Sequence, residues 1–125
     1  MDKRLYYIQE LDKIVSEIVR ARDKICITCR LEKPLTAGHF MKRRHMAVRW
    51  NLHNVNGQCW DCNLEDNWDT YREEMINKYG EAETDLIVSL ARREEKWSEK
   101  DLKEMLDIFK KYKKQKESRD EEKKN

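Results

Sequence analysis

Two short cysteine pairs, Cys26-Ile27-Thr28-Cys29 and Cys59-Trp60-Asp61-Cys62, constrain this chain more than any other feature. A C-x-x-C turn offers two thiolates to one metal ion from a single tight loop. Two such turns supply the sulfurs of a tetrahedral zinc site. The alternative is a set of disulfides or reactive thiol pairs, which needs an oxidising compartment. Residues 1–22 are charged throughout and lack the apolar segment that directs export, so the expected reading is reduced thiols holding structural Zn2+.

Composition explains why a metal would be needed. The chain is 42% charged and 38% hydrophobic, a thin core for 125 residues, and a small charge-rich domain gains from a bound metal. One proline and three glycines favour helices over a many-stranded sheet. No stretch approaches the ~20 apolar residues of a membrane span, so no membrane partner is expected. The formal net charge of +2 conceals an asymmetry. Residues 24–50 carry seven basic groups and one acid, Glu32, whereas residues 51–101 carry six basic groups and thirteen acids. Positive charge on the segment leading to the second cysteine pair suits a polyanion such as DNA. A solvated lysine-rich face is the plainer alternative.

Periodicity places helices at both ends. Leu5, Ile8, Leu11, Ile14, Val15, Ile18 and Val19 recur at spacings of three and four and predict an amphipathic helix over 3–22. Residues 24–56 lose that period and read as a β-hairpin with a basic loop at Lys42-Arg43-Arg44-His45. One helix is expected from Trp60 to Tyr79, stopped by Gly80. A short helix at about 83–92 and a last one opened by Ser98 and Asp101 follow. After Lys113 the chain is nearly all charge and is expected to fray. The fold class is thus α+β, mostly α: an N-terminal helix (1–23), a zinc-bound strand–strand–helix core (24–80) and C-terminal helices with a charged tail (81–125). Leu5, Ile8, Ile18 and Val19, with Leu102, Leu106 and Phe109, offer more apolar stripe than a small core obviously absorbs. They predict a homodimer, with mutual packing inside one chain as the alternative.

His39 lies in the hairpin, Asn54 precedes the second cysteine pair and Asn63 follows it directly. A strand–strand–helix pinned by zinc brings these three into one small cleft, as in ββα-metal nucleases. A neutral imidazole takes a proton from the water that attacks phosphorus. A hard divalent cation on oxygen ligands stabilises the leaving oxygen. An asparagine such as Asn54 ties the loop and holds the imidazole in orientation. Lys42, Arg43, Arg44 and Arg49 are expected to touch phosphates, with the pairing of one of the arginines with an acid of the following helix as the bland expectation. The structural alternative for the whole set is a zinc ribbon in which His39 and Asn63 only cap turns.

Ala37-Gly38-His39-Phe40, Arg44 to Trp50, Asn54-Val55 and Gln58 to Asn63 resemble the phage NinG (Rap) recombination endonucleases. Leu11 to Ser16, Arg20 to Asp23 and Lys78-Tyr79-Gly80 extend the resemblance to roughly residues 11–112. The cysteine knuckles and the Cys62-Asn63 junction are also similar to phage endonuclease VII, a Holliday-junction resolvase. The resemblance implies an HNH (His-Me finger) endonuclease acting on branched DNA, such as Holliday junctions or D-loops, in the cytoplasm of a bacterial host. It implies His39 as general base and Asn63 as a ligand of catalytic Mg2+ or Mn2+. Many HNH enzymes carry an acidic metal ligand just before the base, where this chain has Gly38. The second oxygen ligand must come from elsewhere: Asn67, with Asp66 and His45 as alternatives. A non-catalytic zinc-ribbon DNA-binding module and a branch-indifferent HNH nicking endonuclease are the rival functions.

Overall fold

The computed structural model describes residues 1–124, in the order α1 (Arg4–Arg22), β1 (Leu35–His39), β2 (Val55–Cys59), α2 (Trp60–Glu65), α3 (Trp68–Tyr79), α4 (Glu81–Ala91) and α5 (Glu99–Lys124). β1 and β2 pair antiparallel, with Leu35 opposite Cys59 and His39 opposite Val55. Successive side chains on a strand point to opposite faces, so this hairpin covers two different cores. On one face Ala37 and Val55 join Leu11, Val15, Val19, Trp50, Leu102 and Leu106, the apolar stripes of α1 and α5. On the other face Gly38 lies under α3, where the Tyr71 hydroxyl donates to its carbonyl at 2.8 Å. Phe40, just past the strand, packs there with Tyr71, Met75 and Ile87. The hairpin is thus the middle layer between α1–α5 and α3–α4.

The closure of α1 on α5 decides what happens to the terminal stripes. Ile18, Val19, Leu102 and Leu106 are buried against each other's helices, and Phe109 packs beside them. The stripes expected at a homodimer interface find partners within one chain, which was the alternative reading for them. Of that set only Leu5 stays well exposed. The helices α1 and α5 also share their core with the hairpin, through Leu11, Val15, Leu102, Leu106 and Val55.

Two expectations about the helices are corrected. The helix expected from Trp60 to Tyr79 is two helices, because Asp66 adopts a left-handed conformation (φ 55°) and Asn67 caps α3 by accepting from Thr70 N–H. Asp and Asn tolerate that conformation and cap well, so the break is local chemistry that apolar periodicity does not report. The charged tail, expected to fray after Lys113, continues as helix to Lys124. Lys113 pairs with Glu17 of α1 and with Glu117 one turn on, and no proline or glycine interrupts the run. The predicted start of this helix holds. Asp101 N–H donates to Ser98 Oγ at 3.0 Å and Ser98 N–H donates to Asp101 Oδ2 at 3.3 Å. Between α3 and α4 the chain turns at Gly80 with φ 92°, a value that side chains disfavour. No helix among the described residues is long and apolar enough to cross a membrane.

Leu11 is fully buried where α1 meets the hairpin and α5. Leu11→Ala is expected to cost about 3 kcal/mol of unfolding free energy in a urea titration. A loss below about 1 kcal/mol would mean that the α1 layer is not part of the cooperative core.

Candidate functional site

The cysteine cluster is assembled by backbone before any metal is considered. Cys26 N–H donates to Leu31 O and Arg30 N–H to Cys26 O, closing the first knuckle around Arg30 in a left-handed turn (φ 62°). Ile27 N–H donates to Gly57 O at 2.9 Å, tying this knuckle to β2. Cys59 ends β2 and caps α2, which carries Cys62 in its first turn. The sulfurs of Cys26, Cys29, Cys59 and Cys62 then lie within 4.8 Å of one another, and all four are free thiols. Cys29 and Cys59 are 4.0 Å apart. Sulfurs at ~2.3 Å from a tetrahedral zinc stand ~3.8 Å apart, so the cluster fits that ion. The electrostatics agree. Burial disfavours the Cys26 thiolate, yet the N–H groups of Cys29, Cys59 and Thr28 more than offset it and hold the thiol down to about 7. Burial and the neighbouring sulfurs push Cys62 well up. A cation between four sulfurs at this spacing would stabilise them as thiolates.

His39, at the end of β1, is half-buried on the α1 side of the hairpin. Its Nε2 lies 3.0 Å from the carbonyl oxygen of Arg49. A carbonyl only accepts, so Nε2 carries the proton and Nδ1 keeps its lone pair. Nδ1 has no hydrogen-bond partner among the described residues, whereas every fully buried side-chain nitrogen or oxygen there has one, so Nδ1 reaches solvent. Burial lowers the imidazole to about 4, and Arg43 and Arg49 push the same way against the Arg49 carbonyl and Asp12. The ring is therefore neutral at pH 7. Asn54 does the tying expected of it. It is fully buried, its Oδ1 accepts from Met41 N–H at 2.8 Å, and its Nδ2 donates to Met41 O and Val48 O at 3.0 and 3.1 Å.

The basic candidates divide in two. Arg43 and Arg44 are exposed on the loop and form no ion pair among the described residues. Lys42 pairs with Asp66. Arg49 makes a two-point contact with Asp12, at 3.0 and 2.6 Å. Its guanidinium is committed to α1, so the phosphate contact expected of it is replaced by an internal one.

Asn63 is on the other side of the hairpin. Its Nδ2 donates to Thr36 Oγ1 at 3.0 Å. Thr36 and His39 are three residues apart on β1 and project to opposite faces, so Asn63 and His39 do not meet as one compact cluster. The candidates for the second oxygen ligand are all engaged elsewhere. Asn67 caps α3, Asp66 pairs with Lys42, and His45 donates from Nδ1 to Ala91 O at 3.1 Å. The structure also shows why residue 38 is glycine. A Cβ there would sit 2.1 Å from Gln58 Oε1. Gln58 is 4% exposed and donates from Nε2 to Thr28 at 2.8 Å, while its Oε1 accepts from no described residue.

Several participants escaped sequence reasoning. Asp12 falls within Leu11 to Ser16, a stretch that carries the family resemblance, and the sequence assigns it no role of its own. Gln58 was a polar residue on a strand, and its relation to Gly38 exists only through strand pairing. Trp50 is buried and Trp68 stacks on Phe40 with ring centres 5.2 Å apart, whereas Trp60 stays exposed.

The sequence model of the family described as the bacteriophage lambda NinG protein matches residues 1–122. No curated protein and no solved structure matches the chain.

One zinc per chain is expected by elemental analysis. Because its binding free energy is folding free energy, of order 10 kcal/mol in zinc-finger peptides, a strong chelator should unfold the hairpin and lower the Tm. Well-folded, metal-free protein with the same Tm would overturn the zinc assignment.

Proposed function

The chain belongs to the bacteriophage lambda NinG protein family, a phage recombination family, and from that membership we propose that it is a metal-dependent endonuclease for branched DNA. The observation that carries the reading is His39. It is a neutral imidazole whose Nε2–H is spent on a carbonyl and whose Nδ1 is left without a partner, with the charge of Arg43 near enough to lower its proton affinity. A surface histidine with both nitrogens free would titrate near 6.5 and be partly charged at neutral pH. A buried structural histidine would have both nitrogens bonded. This one is held ready to accept a proton.

In the proposed reaction Arg43 and Arg44 receive the phosphate backbone. Water attacks phosphorus, His39 Nδ1 takes its proton, the new P–O bond forms and the opposite ester oxygen leaves. Asn54 keeps the loop that carries the arginines in one conformation. A divalent cation, Mg2+ or Mn2+, would supply charge stabilisation for the leaving oxygen, but Asn63 lies on the opposite face of the hairpin from His39 and does not hold it beside the base. Zinc holds β2 and the first knuckle together and takes no part in the chemistry. The resemblance of the cysteine knuckles and the Cys62-Asn63 junction to endonuclease VII motivates this reading, and a host cytoplasm would supply the reducing setting that free thiols need.

His39→Ala is expected to lower cleavage of a four-way junction by ~10²–10⁴ while leaving the Kd for DNA within about twofold. Cleavage at the wild-type rate would sink the assignment of the base. Absence of metal-dependent cleavage by the wild type on junction, flap and duplex alike would favour a DNA-binding module instead. Equal cutting of junction and duplex would favour a branch-indifferent nicking enzyme.

Replacing Arg43 and Arg44 together by Ala should weaken binding to every DNA shape and reduce the log–log salt slope by ~0.9 for each lost contact. An unchanged slope would move the binding surface away from this loop.

A further inference from the structure

We propose that Asp12, on α1, is a positioning residue for His39, acting through the peptide group that joins Arg49 to Trp50. The proposal rests on His39 being the base in the reading above. Asp12 Oδ1 accepts from Arg49 Nε at 3.0 Å and from Trp50 Nε1 at 2.8 Å, and Oδ2 accepts from Arg49 at 2.6 Å. One carboxylate therefore holds the side chains on both sides of a single peptide bond. The oxygen of that peptide is the Arg49 carbonyl, and it is the acceptor for His39 Nε2–H. Asn54 pins the preceding turn through Val48 O. The carbonyl is thus fixed from two directions, by Asp12 ahead of it and by Asn54 behind it.

The consequence is chemical. A neutral imidazole has two tautomers, and which nitrogen is free depends on the bond the other one makes. With the Arg49 carbonyl held in place, Nε2 keeps the proton and Nδ1 is the free base. If the 49–50 peptide is released, either nitrogen can carry the proton and the ring loses its orientation. Asp12 is ionised and half-buried. Burial opposes its charge, but the bonds from Arg49 and Trp50 more than offset that and hold its carboxyl below the usual range. An exposed ion pair contributes little to stability, so a bidentate pair with a third bond from an indole points to a task beyond linking two elements. Here the task reaches from an N-terminal helix into the candidate site.

The test reads the imidazole directly. ¹⁵N chemical shifts of the His39 ring, measured at pH 7 in zinc-loaded protein, are expected to show a single Nε2–H tautomer in the wild type. Asp12→Ala should give a mixture of tautomers, with kcat on a four-way junction lowered by ~10²-fold and KM within about twofold. Asp12→Glu should restore the tautomer and part of the rate. Arg49→Lys keeps the charge and the main chain but loses the two-point contact, so it should shift the ring as Asp12→Ala does. It serves as the second variant if Asp12→Ala does not fold. A His39 ring that remains entirely Nε2–H in a folded Asp12→Ala or Arg49→Lys protein overturns the proposal. If the ring shifts as expected but the wild type cuts no DNA, the endonuclease reading fails and the clamp stands as the device that sets the tautomer.

Discussion

Four sulfur atoms brought together at one end of a two-stranded hairpin are the constraint on which the rest of this structure depends. A hairpin of five-residue strands joined by fifteen loop residues is not stable by itself. Here its open end is held by cysteines from both sides. Cys26 and Cys29 lie in a knuckle bonded to β2, and Cys59 and Cys62 lie where β2 runs into α2. The cysteine cluster coincides with the start of α2, and so with the position of Asn63. It also keeps β1 and β2 in the register that sets Gln58 beside Gly38 on one face and His39 on the other.

The opposite end of the hairpin is held by polar groups rather than metal. The loop between the strands contains almost no regular structure, so its backbone groups need partners from side chains. Asn54 supplies three of those bonds, and Asp12 holds the loop by three further bonds to the side chains of Arg49 and Trp50. A second network ties α1 to β2 and α3. Asp23 accepts from Gly57 N–H at 2.7 Å and pairs with Arg22, while Asn56 Oδ1 accepts from Tyr79 at 2.7 Å and from Arg22 at 3.2 Å. No fully buried side-chain nitrogen or oxygen among the described residues is left without a partner. In a domain with a thin apolar core, satisfied polar networks of this kind specify one arrangement of the layers.

Placing the hairpin between two helical layers also sets the chemistry of the histidine. One face of β1 turns toward α1, so His39 is shielded by the same helix whose Asp12 organises the loop. The shielding lowers its proton affinity, and the single bond to the Arg49 carbonyl chooses its tautomer. Arg43 and Arg44 remain exposed and form no ion pair among the described residues, whereas Asp66 and Asp12 bind Lys42 and Arg49.

What the sequence determined by itself was whatever is encoded over a few neighbouring residues. The C-x-x-C spacings identified the metal cluster, the three- and four-residue periodicity located α1 and α5, and the Ser98–Asp101 pair marked the start of the last helix. The loop-tying role of Asn54 was legible too, because a buried asparagine beside a turn has few other uses. Tertiary structure alone decided the contacts between residues far apart in the chain. It decided that the stripes of α1 and α5 close on each other, that Arg49 is bound by Asp12, and that Gln58 fills the space beside Gly38. It also decided that Asn63 and His39 lie on opposite faces of one strand. The physical reason is that periodicity reports which face of an element is apolar but not what covers it. Charge counts likewise report how many arginines a loop carries, but not which of them a carboxylate on a distant helix will hold.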